Sequence, residues 1–420
     1  MKKLLIITTV FLFAAVTAYA APVPDTGQTK CYDNSSEIPC PNPGEPFYGQ
    51  DGSYSINPHS YTKLENVVVR DNVTGLDWQQ ATAPGTYTWQ EALDYCDVLD
   101  LGGHDDWRLP TIKELSALVD SNILRPGPVI DAGYFPDTVT SDYWSSTTLA
   151  ENSDNVWHVV FYSGFVNYLN SPYDGYYVRA VRSGQPVINS FVDNGDGTVT
   201  DITTGLMWQK TTASGNYTWE QALTYCENLS LADHSDWRLP NRNELQSIVD
   251  YSRYAPSINS VFFPDIVDSY YWTSTTWART SSNAWVMDFS NGFLNYYDKT
   301  LVGYVNAVRG PILDLIELFS FTATPASKKI ILQWSTDSEV DNAGFNLYRA
   351  DCEDCDYEQI NDELIPAEGS PAQGAEYSFV DDDVRNRKTY WYKLEDVDVD
   401  GVATLNGPVS ATPRLVRGLR

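Results

Sequence analysis

Two long stretches of the chain carry the same order of apolar and polar positions. In the first, Trp89, Ala92, Cys96 and Leu99 recur at helical spacing; in the second, Trp219, Ala222, Cys226 and Leu229 do so. Such a stripe sets one side of a helix against a core. Thr88 with Glu91, and Thr218 with Gln221, have the spacing of a capping box. A second helix is predicted in each stretch. Thr111 and Glu114 lead into Leu115, Leu118 and Val119, and Asn241 and Glu244 lead into Leu245, Ile248 and Val249. Pro110 and Pro240 sit just before these N-cap residues and mark the helix entry. A short β-hairpin comes first; in the second stretch it carries DNGDGTVTD (193–201), with an Asp-Gly turn between alternating residues. The last third of each stretch is rich in Trp, Tyr, Ser, Thr and Asn, with strand alternation. Beyond residue 312 the helical period stops. Ile330, Leu332 and Trp334 alternate, as do Tyr390, Tyr392 and Leu394, and Asp400-Gly401 supplies a turn. That region reads as a small β-sandwich.

The two stretches are copies of one another. Asp71-x-x-Thr74-Gly75-Leu76-x-Trp78 matches Asp201-x-x-Thr204-Gly205-Leu206-x-Trp208, and TYTWQEALDYC (86–96) matches NYTWEQALTYC (216–226). DWRLP occurs at 106–110 and 236–240; YFPD (134–137) meets FFPD (262–265), and YWSSTT (143–148) meets YWTSTT (271–276). Gly164-Phe165-x-Asn167-Tyr168 meets Gly292-Phe293-x-Asn295-Tyr296, and Ala180-Val181-Arg182 meets Ala307-Val308-Arg309. Each copy, at roughly 125 residues, is large enough for a core of its own. The arrangement is therefore a tandem pair, not a short-period solenoid.

Composition narrows the partners. The formal charge is -29. A field of that sign repels phosphate backbones, so nucleic acid is excluded as a natural partner. Residues 1–20, MKKLLIITTVFLFAAVTAYA, have the charged start, apolar run and Ala-x-Ala end of a secretory signal peptide. No later segment reads as a membrane span, and the expected location is secreted, periplasmic or on the cell surface. Six cysteines suit an oxidising compartment. Cys31 and Cys40 flank a loop and are expected to pair; Cys352 and Cys355 form a CxxC read as a local loop disulfide. Without a second CxxC a zinc site has no support.

The ordered set TGLMWQK, TWEQAL-x-YC, DWRLP-x-x-x-EL, YW-x-STT, NGF-x-NY and AVRG resembles the Lcl C-terminal domain family. The resemblance implies a C-type lectin-like fold akin to formylglycine-generating-enzyme-type domains. It also implies an exported bacterial adhesion or ligand-binding role, since the named member of the family binds sulfated polysaccharides. The C-terminal region resembles a fibronectin type III domain, with Trp334 on its second strand. The expected fold class is thus α+β: two tandem C-type lectin-like domains plus a C-terminal all-β fibronectin type III-like sandwich. The expected boundaries are a signal peptide at 1–20, a lead segment at 21–60, repeats at 61–184 and 185–311, the sandwich at 312–413 and a tail at 414–420.

DWRLP admits a binding reading, an Arg beside a Trp platform, and a structural one. A fixed loop leading straight into a capped helix needs a lock, and an Arg with five donors supplies one. Trp107, Arg108, Trp237 and Arg238 are therefore read as structural. Cys96 and Cys226 lie on the apolar helix faces, one per copy, and are read as small buried hydrophobes. Paired-cysteine oxidase chemistry would need two per site. No HExxH, GxSxG or repeated carboxylate pair appears, so no catalytic residue and no metal ligand is assigned. No cofactor is expected, and calcium rests only on the Asp-rich turn at 193–197.

Binding is expected in the aromatic and amide-rich final third, where the copies differ at some outward strand positions and in the loop Thr148–Asp154 against Thr276–Ser282. The candidates are Tyr162, Asn167 and Tyr168 in the first copy, and Trp277, Arg279, Asp288, Asn295 and Tyr296 in the second. His158 and Val160 also fall among the positions that alternation turns outward. The functional expectation is a non-enzymatic binding protein for an extracellular glycan or surface protein. The alternatives are a formylglycine-generating-type oxidase relative, a polysaccharide-active enzyme, or an envelope or matrix component without a small ligand.

Overall fold

The capped helices form where their signals stand, but they are short. In the computed structural model, helix α1 is Trp89–Asp97, α2 Ile112–Ala117, α3 Trp219–Glu227 and α4 Arg242–Ser247. The structure describes residues 22–64, 67–123, 127–169, 172–183, 189–310, 316–339, 342–353, 355, 357–368, 375–398 and 403–414. The expected leader (1–20), the Asp400-Gly401 turn and the tail beyond Arg414 lie outside the described residues. Antiparallel strands make up most of the rest. This corrects the α+β, C-type lectin-like expectation: the protein is largely all-β. The reason is length. Helices of six or nine residues cannot stand alone in water and exist here only as caps packed on sheets. The aromatic segments that alternate over five to seven residues became the sheets.

The chain divides into two compact units, Met1–Pro311 and Ile312–Arg420. In the first, both copies share one six-stranded antiparallel sheet. Its order is Tyr270–Thr276, Asn283–Asp288, Phe293–Asp298, Phe165–Leu169, Val156–Val160, Asp142–Thr148. The copies meet where Leu294 pairs with Val166. These residues are equivalent in the repeat, so the pairing sets a pseudo-two-fold axis between them. One row of side chains crosses all six strands: Tyr143, Val159, Val166, Leu294, Met287 and Tyr271. Every member is fully buried. The helices repeat the symmetry. Ser116 of α2 donates to the side chain of Gln246 of α4, its own counterpart, and Lys113 Nζ donates to Ser247 O at 2.6 Å. Each copy adds a small four-stranded sheet, 61–64, 68–71, 77–79 and 181–182 in one, and 191–193, 198–201, 206–209 and 308–309 in the other.

The lead segment breaks the symmetry by covering the second copy. Gln28 acts as a ladder rung: its amide gives a hydrogen bond to Thr276 O (2.8 Å) and takes one from Thr276 N (2.9 Å). Asp51 accepts from the hydroxyls of Thr26 and Thr275, both at 2.6 Å. Tyr54 donates to Glu227 at 2.6 Å, and Phe47 packs 6.4 Å from Trp219. Cys31–Cys40 closes the lead hairpin, a disulfide that the sequence places correctly. Trp219, Thr275 and Thr276 are buried in consequence, while their counterparts Trp89, Thr147 and Thr148 are half-exposed.

The second unit packs two antiparallel sheets over one core. Ile316–Ala326, Lys329–Glu339 and Glu376–Asp381 form one sheet. The other runs Glu358–Gln359, Asn342–Ala350, Tyr390–Asp398, Ala403–Ala411. Ile330, Leu332 and Trp334 meet Phe345, Leu347, Tyr392 and Leu394 between them. The alternation read in the sequence is thus that of a sandwich. Cys352 and Cys355 are bonded, as their spacing suggests. No helix among the described residues is long and apolar enough to cross a membrane.

The lead's grip depends on pH. Burial, with the neighbouring Asp51, raises the pKa of Asp25 from 3.8 to about 8, and burial raises that of Asp51 to about 6. The folded state therefore holds these protons more tightly than the unfolded chain. Their effect favours docking below pH about 4 and is lost as pH rises through the folded values. Exchange protection of the Thr276 amide is expected to fall between pH 5 and pH 8, after correction for intrinsic rates, and to fall less in Asp51→Asn. Unchanged protection across that range would refute this.

Candidate functional site

DWRLP ties three elements together in each copy. Trp107 and Trp237 are buried, and their indole N–H groups donate to Leu101 O (3.1 Å) and Leu231 O (3.2 Å). Arg108 and Val181 exchange backbone hydrogen bonds, as do Arg238 and Val308. The guanidinium of Arg108 grips Glu114 at 2.8 and 2.7 Å, and that of Arg238 grips Glu244 at 2.6 and 2.6 Å. The same glutamates accept from the N-cap amides of Thr111 and Asn241. One carboxylate thus caps a helix and anchors the arginine before it. Asp106 and Asp236 in turn pair with Arg182 and Arg309 at 2.7 Å. Cys96 and Cys226 sit in separate cores. Burial pushes the Cys96 thiol up to about 12 and raises that of Cys226. Both stay protonated, far from the thiolate that nucleophilic chemistry needs.

The expected binding residues do not form one site. Trp277, Arg279 and Tyr296 come together: the Trp277 and Tyr296 rings stack at 3.9 Å, and the Arg279 guanidinium lies 5.6 Å from the Trp277 ring. Phe165 of the first copy joins them, 5.5 Å from Tyr296. Trp277 is only 8% exposed, so its ring serves the seam more than the surface. Tyr168 packs on Trp157 at 5.1 Å. Asn167 and Asn295 lie beside the seam, and each amide oxygen accepts from the next backbone N–H at 2.8 Å. Asp288 closes a turn by accepting from Ser290 N at 2.9 Å. Tyr162 is exposed. His158 faces inward instead of outward, 3.3 Å from Asp142 and under the ring of Tyr176.

A concave surface lies elsewhere, along the outer side of α3. This open groove of about 730 Å³ is lined by Asn216, Tyr217, Glu220, Gln221, Thr224, Tyr225, Asn228, Leu229 and Ser230. Residues 221, 224, 225 and 228 share one helix side by their spacing, opposite the buried Trp219, Ala222 and Cys226. The Tyr217 and Tyr225 rings stand 5.2 Å apart, tilted by 43°. Their first-copy counterparts Tyr87 and Tyr95 stand 5.1 Å apart, tilted by 45°. Gln209 donates to Tyr225 OH at 2.8 Å, and Gln79 donates to Tyr95 OH at 2.7 Å. Burial raises both phenols above their ordinary pKa, so they remain neutral. Fixed, half-buried phenol faces beside amides and a carboxylate offer flat apolar contact with directional hydrogen bonding at its rim. Sequence reasoning missed this groove. The signal was present: the tyrosines of TYTWQEALDYC and NYTWEQALTYC are kept in both copies yet lie off the apolar stripe. Among the described residues no three His, Cys, Asp or Glu side chains converge in a metal-binding arrangement.

The Arg–Glu lock has a measurable weight. Arg238→Met leaves Glu244 buried without its partner and is expected to cost about 3–5 kcal/mol in thermal or denaturant unfolding. Arg108→Met, where the arginine is more exposed, is expected to cost less. Equal, negligible losses would contradict the anchoring role.

Comparison with known proteins agrees with the repeat. No curated protein is significantly similar to the chain. Among solved structures, pectate lyase Pel3 from Pectobacterium carotovorum is 20% identical over 22% of this chain and 26% of its own, with a TM-score of 0.18. The chain therefore spans about a quarter of that enzyme's length. A Fn3-like protein from Clostridium thermocellum is 17% identical over 23% of this chain and 93% of its own, at 0.16. A beta-1,2-glucanase from Parabacteroides distasonis is 13% identical over 30% of this chain and 18% of its own, at 0.17. Similarity this slight establishes no shared fold. The Lcl C-terminal domain, by contrast, matches twice, at residues 67–182 and 197–309. With more than half its length in those two matches, the chain belongs to the Lcl C-terminal domain family.

Proposed function

We propose that this is an exported binding protein that takes extracellular glycans or other cell-surface components through paired tyrosine surfaces, one per copy. The observation that carries the reading is the groove along α3, whose tyrosine pair recurs with the same spacing and tilt along α1. Its polarity suits a hydroxyl-rich ligand, and the tyrosine faces suit the C–H side of a sugar ring. Two disulfides fit an oxidising compartment, and the leader-like start of the sequence fits export. Two weak sites on one compact unit gain avidity on a repeating polymer when both engage. The C-terminal sandwich serves in this reading as a fibronectin type III-like spacer or docking module. Trp277, Arg279 and Tyr296 hold the seam between the copies and frame the binding unit.

The test is a glycan array with the full chain, run with and without calcium. Enrichment of one sugar class is expected, with affinity falling at least ten-fold in the Tyr217→Ala/Tyr225→Ala variant, about 1.4 kcal/mol. A further loss is expected when Tyr87 and Tyr95 are also replaced. A folded sample that binds no glycan and no extracellular matrix protein would overturn the reading.

A further inference from the structure

Arg242 opens α4 of the second copy at the position where the first copy has Ile112. Both side chains are fully buried, but only one is charged. The Arg242 guanidinium lies 4.5 Å from the Trp285 ring. None of its three nitrogens has a hydrogen-bond partner among the described residues. An aromatic face offsets part of the charge but satisfies none of the five N–H donors. Burial pushes the pKa of Arg242 down, to about 9, which still leaves it protonated at neutral pH.

The guanidinium borders a small cavity in the seam. Ser121 and Ser163 of the first copy face it, with Trp277, Trp285 and Arg279 of the second. Both serine hydroxyls are buried and, like Arg242, have no partner among the described residues. Asp120 also borders the cavity, but its carboxylate accepts from Asn122 N at 2.8 Å, and burial raises its pKa toward the neutral form. A cation and two hydroxyl donors thus converge on one space. Its volume of about 20 Å³ admits a single water-sized or monatomic guest and excludes a sugar ring.

We propose that this cavity is an anion site, holding one halide-sized ion between Arg242 and the hydroxyls of Ser121 and Ser163, with Arg279 at its mouth. The ion adds negative charge beside a buried cation whose carboxylate neighbour, Asp51, is already engaged by the hydroxyls of Thr26 and Thr275. It also joins the two copies, since its ligands come from both. Trp277 both lines the cavity and stacks on Tyr296, and the site's existence does not depend on the glycan reading.

Bromide is the probe. Crystals of the full chain grown in sodium bromide are expected to give an anomalous peak in the cavity beside Arg242. At constant ionic strength, replacing gluconate by bromide or chloride is expected to raise the unfolding temperature of the repeat unit saturably, by about 2–4 °C. Arg242→Ile, which installs the first copy's residue, is expected to abolish that response, and Ser121→Ala/Ser163→Ala to weaken it. The proposal is overturned if the cavity shows no bromide peak and only water, or if Arg242→Ile responds to halide as the parent does. Should Arg242→Ile not fold, the anomalous map of the parent protein decides alone.

Discussion

Everything in the repeat unit depends on the pairing of Val166 with Leu294. Taken alone, each copy would expose its last sheet strand, Phe165–Leu169 or Phe293–Asp298, as an open edge. An open edge of aromatic and apolar residues is a template for aggregation. Pairing one edge with the other removes both liabilities at once. Because the paired residues are equivalent, the interface is isologous, like that of a symmetric dimer, but within one chain. The apolar row from Tyr143 to Tyr271 then runs unbroken through the sheet. Ser116 and Gln246 repeat the device between the helices.

A covalent pseudo-dimer is free to become asymmetric, and this one has. The lead segment precedes only the first copy, and it folds across the second. There it buries Trp219, Arg238, Thr275 and Thr276, using side-chain amides and carboxylates where a neighbouring strand would use its backbone. The same seam lets Arg242 replace an apolar residue. Duplication fixed the scaffold, and the burial of each copy then followed its own neighbours. On the outer side of the first helix the tyrosine pair was left alike, while most of the residues around it diverged.

Local features were legible in the sequence. The four helices start at Thr88, Thr111, Thr218 and Asn241 because capping is a matter of three or four adjacent residues. Both disulfides close short loops and needed no tertiary knowledge. What escaped was non-local. Alternation predicted strands but not which face was outside, because this sheet is covered on both sides. His158 was therefore expected at the surface and is buried, and Trp277, read as a loop residue, is buried against the seam. The pairing of Val166 with Leu294 joins residues far apart in the chain, and nothing local announces it. The lectin-like expectation came from resemblance, and it gave too much weight to helices that are only two turns long. Arg242 could have been found by laying the copies side by side, where it stands against Ile112.

Native-state hydrogen exchange on the full chain carrying Leu294→Asp tests the central claim most directly. The substitution places a charge in the middle of the row, on the second copy's side. If the seam unites the copies, protection is expected to fall in Val156–Val160 of the first copy together with Asn283–Asp288 of the second. Loss confined to the second copy, with the first copy's strands as protected as before, would contradict it.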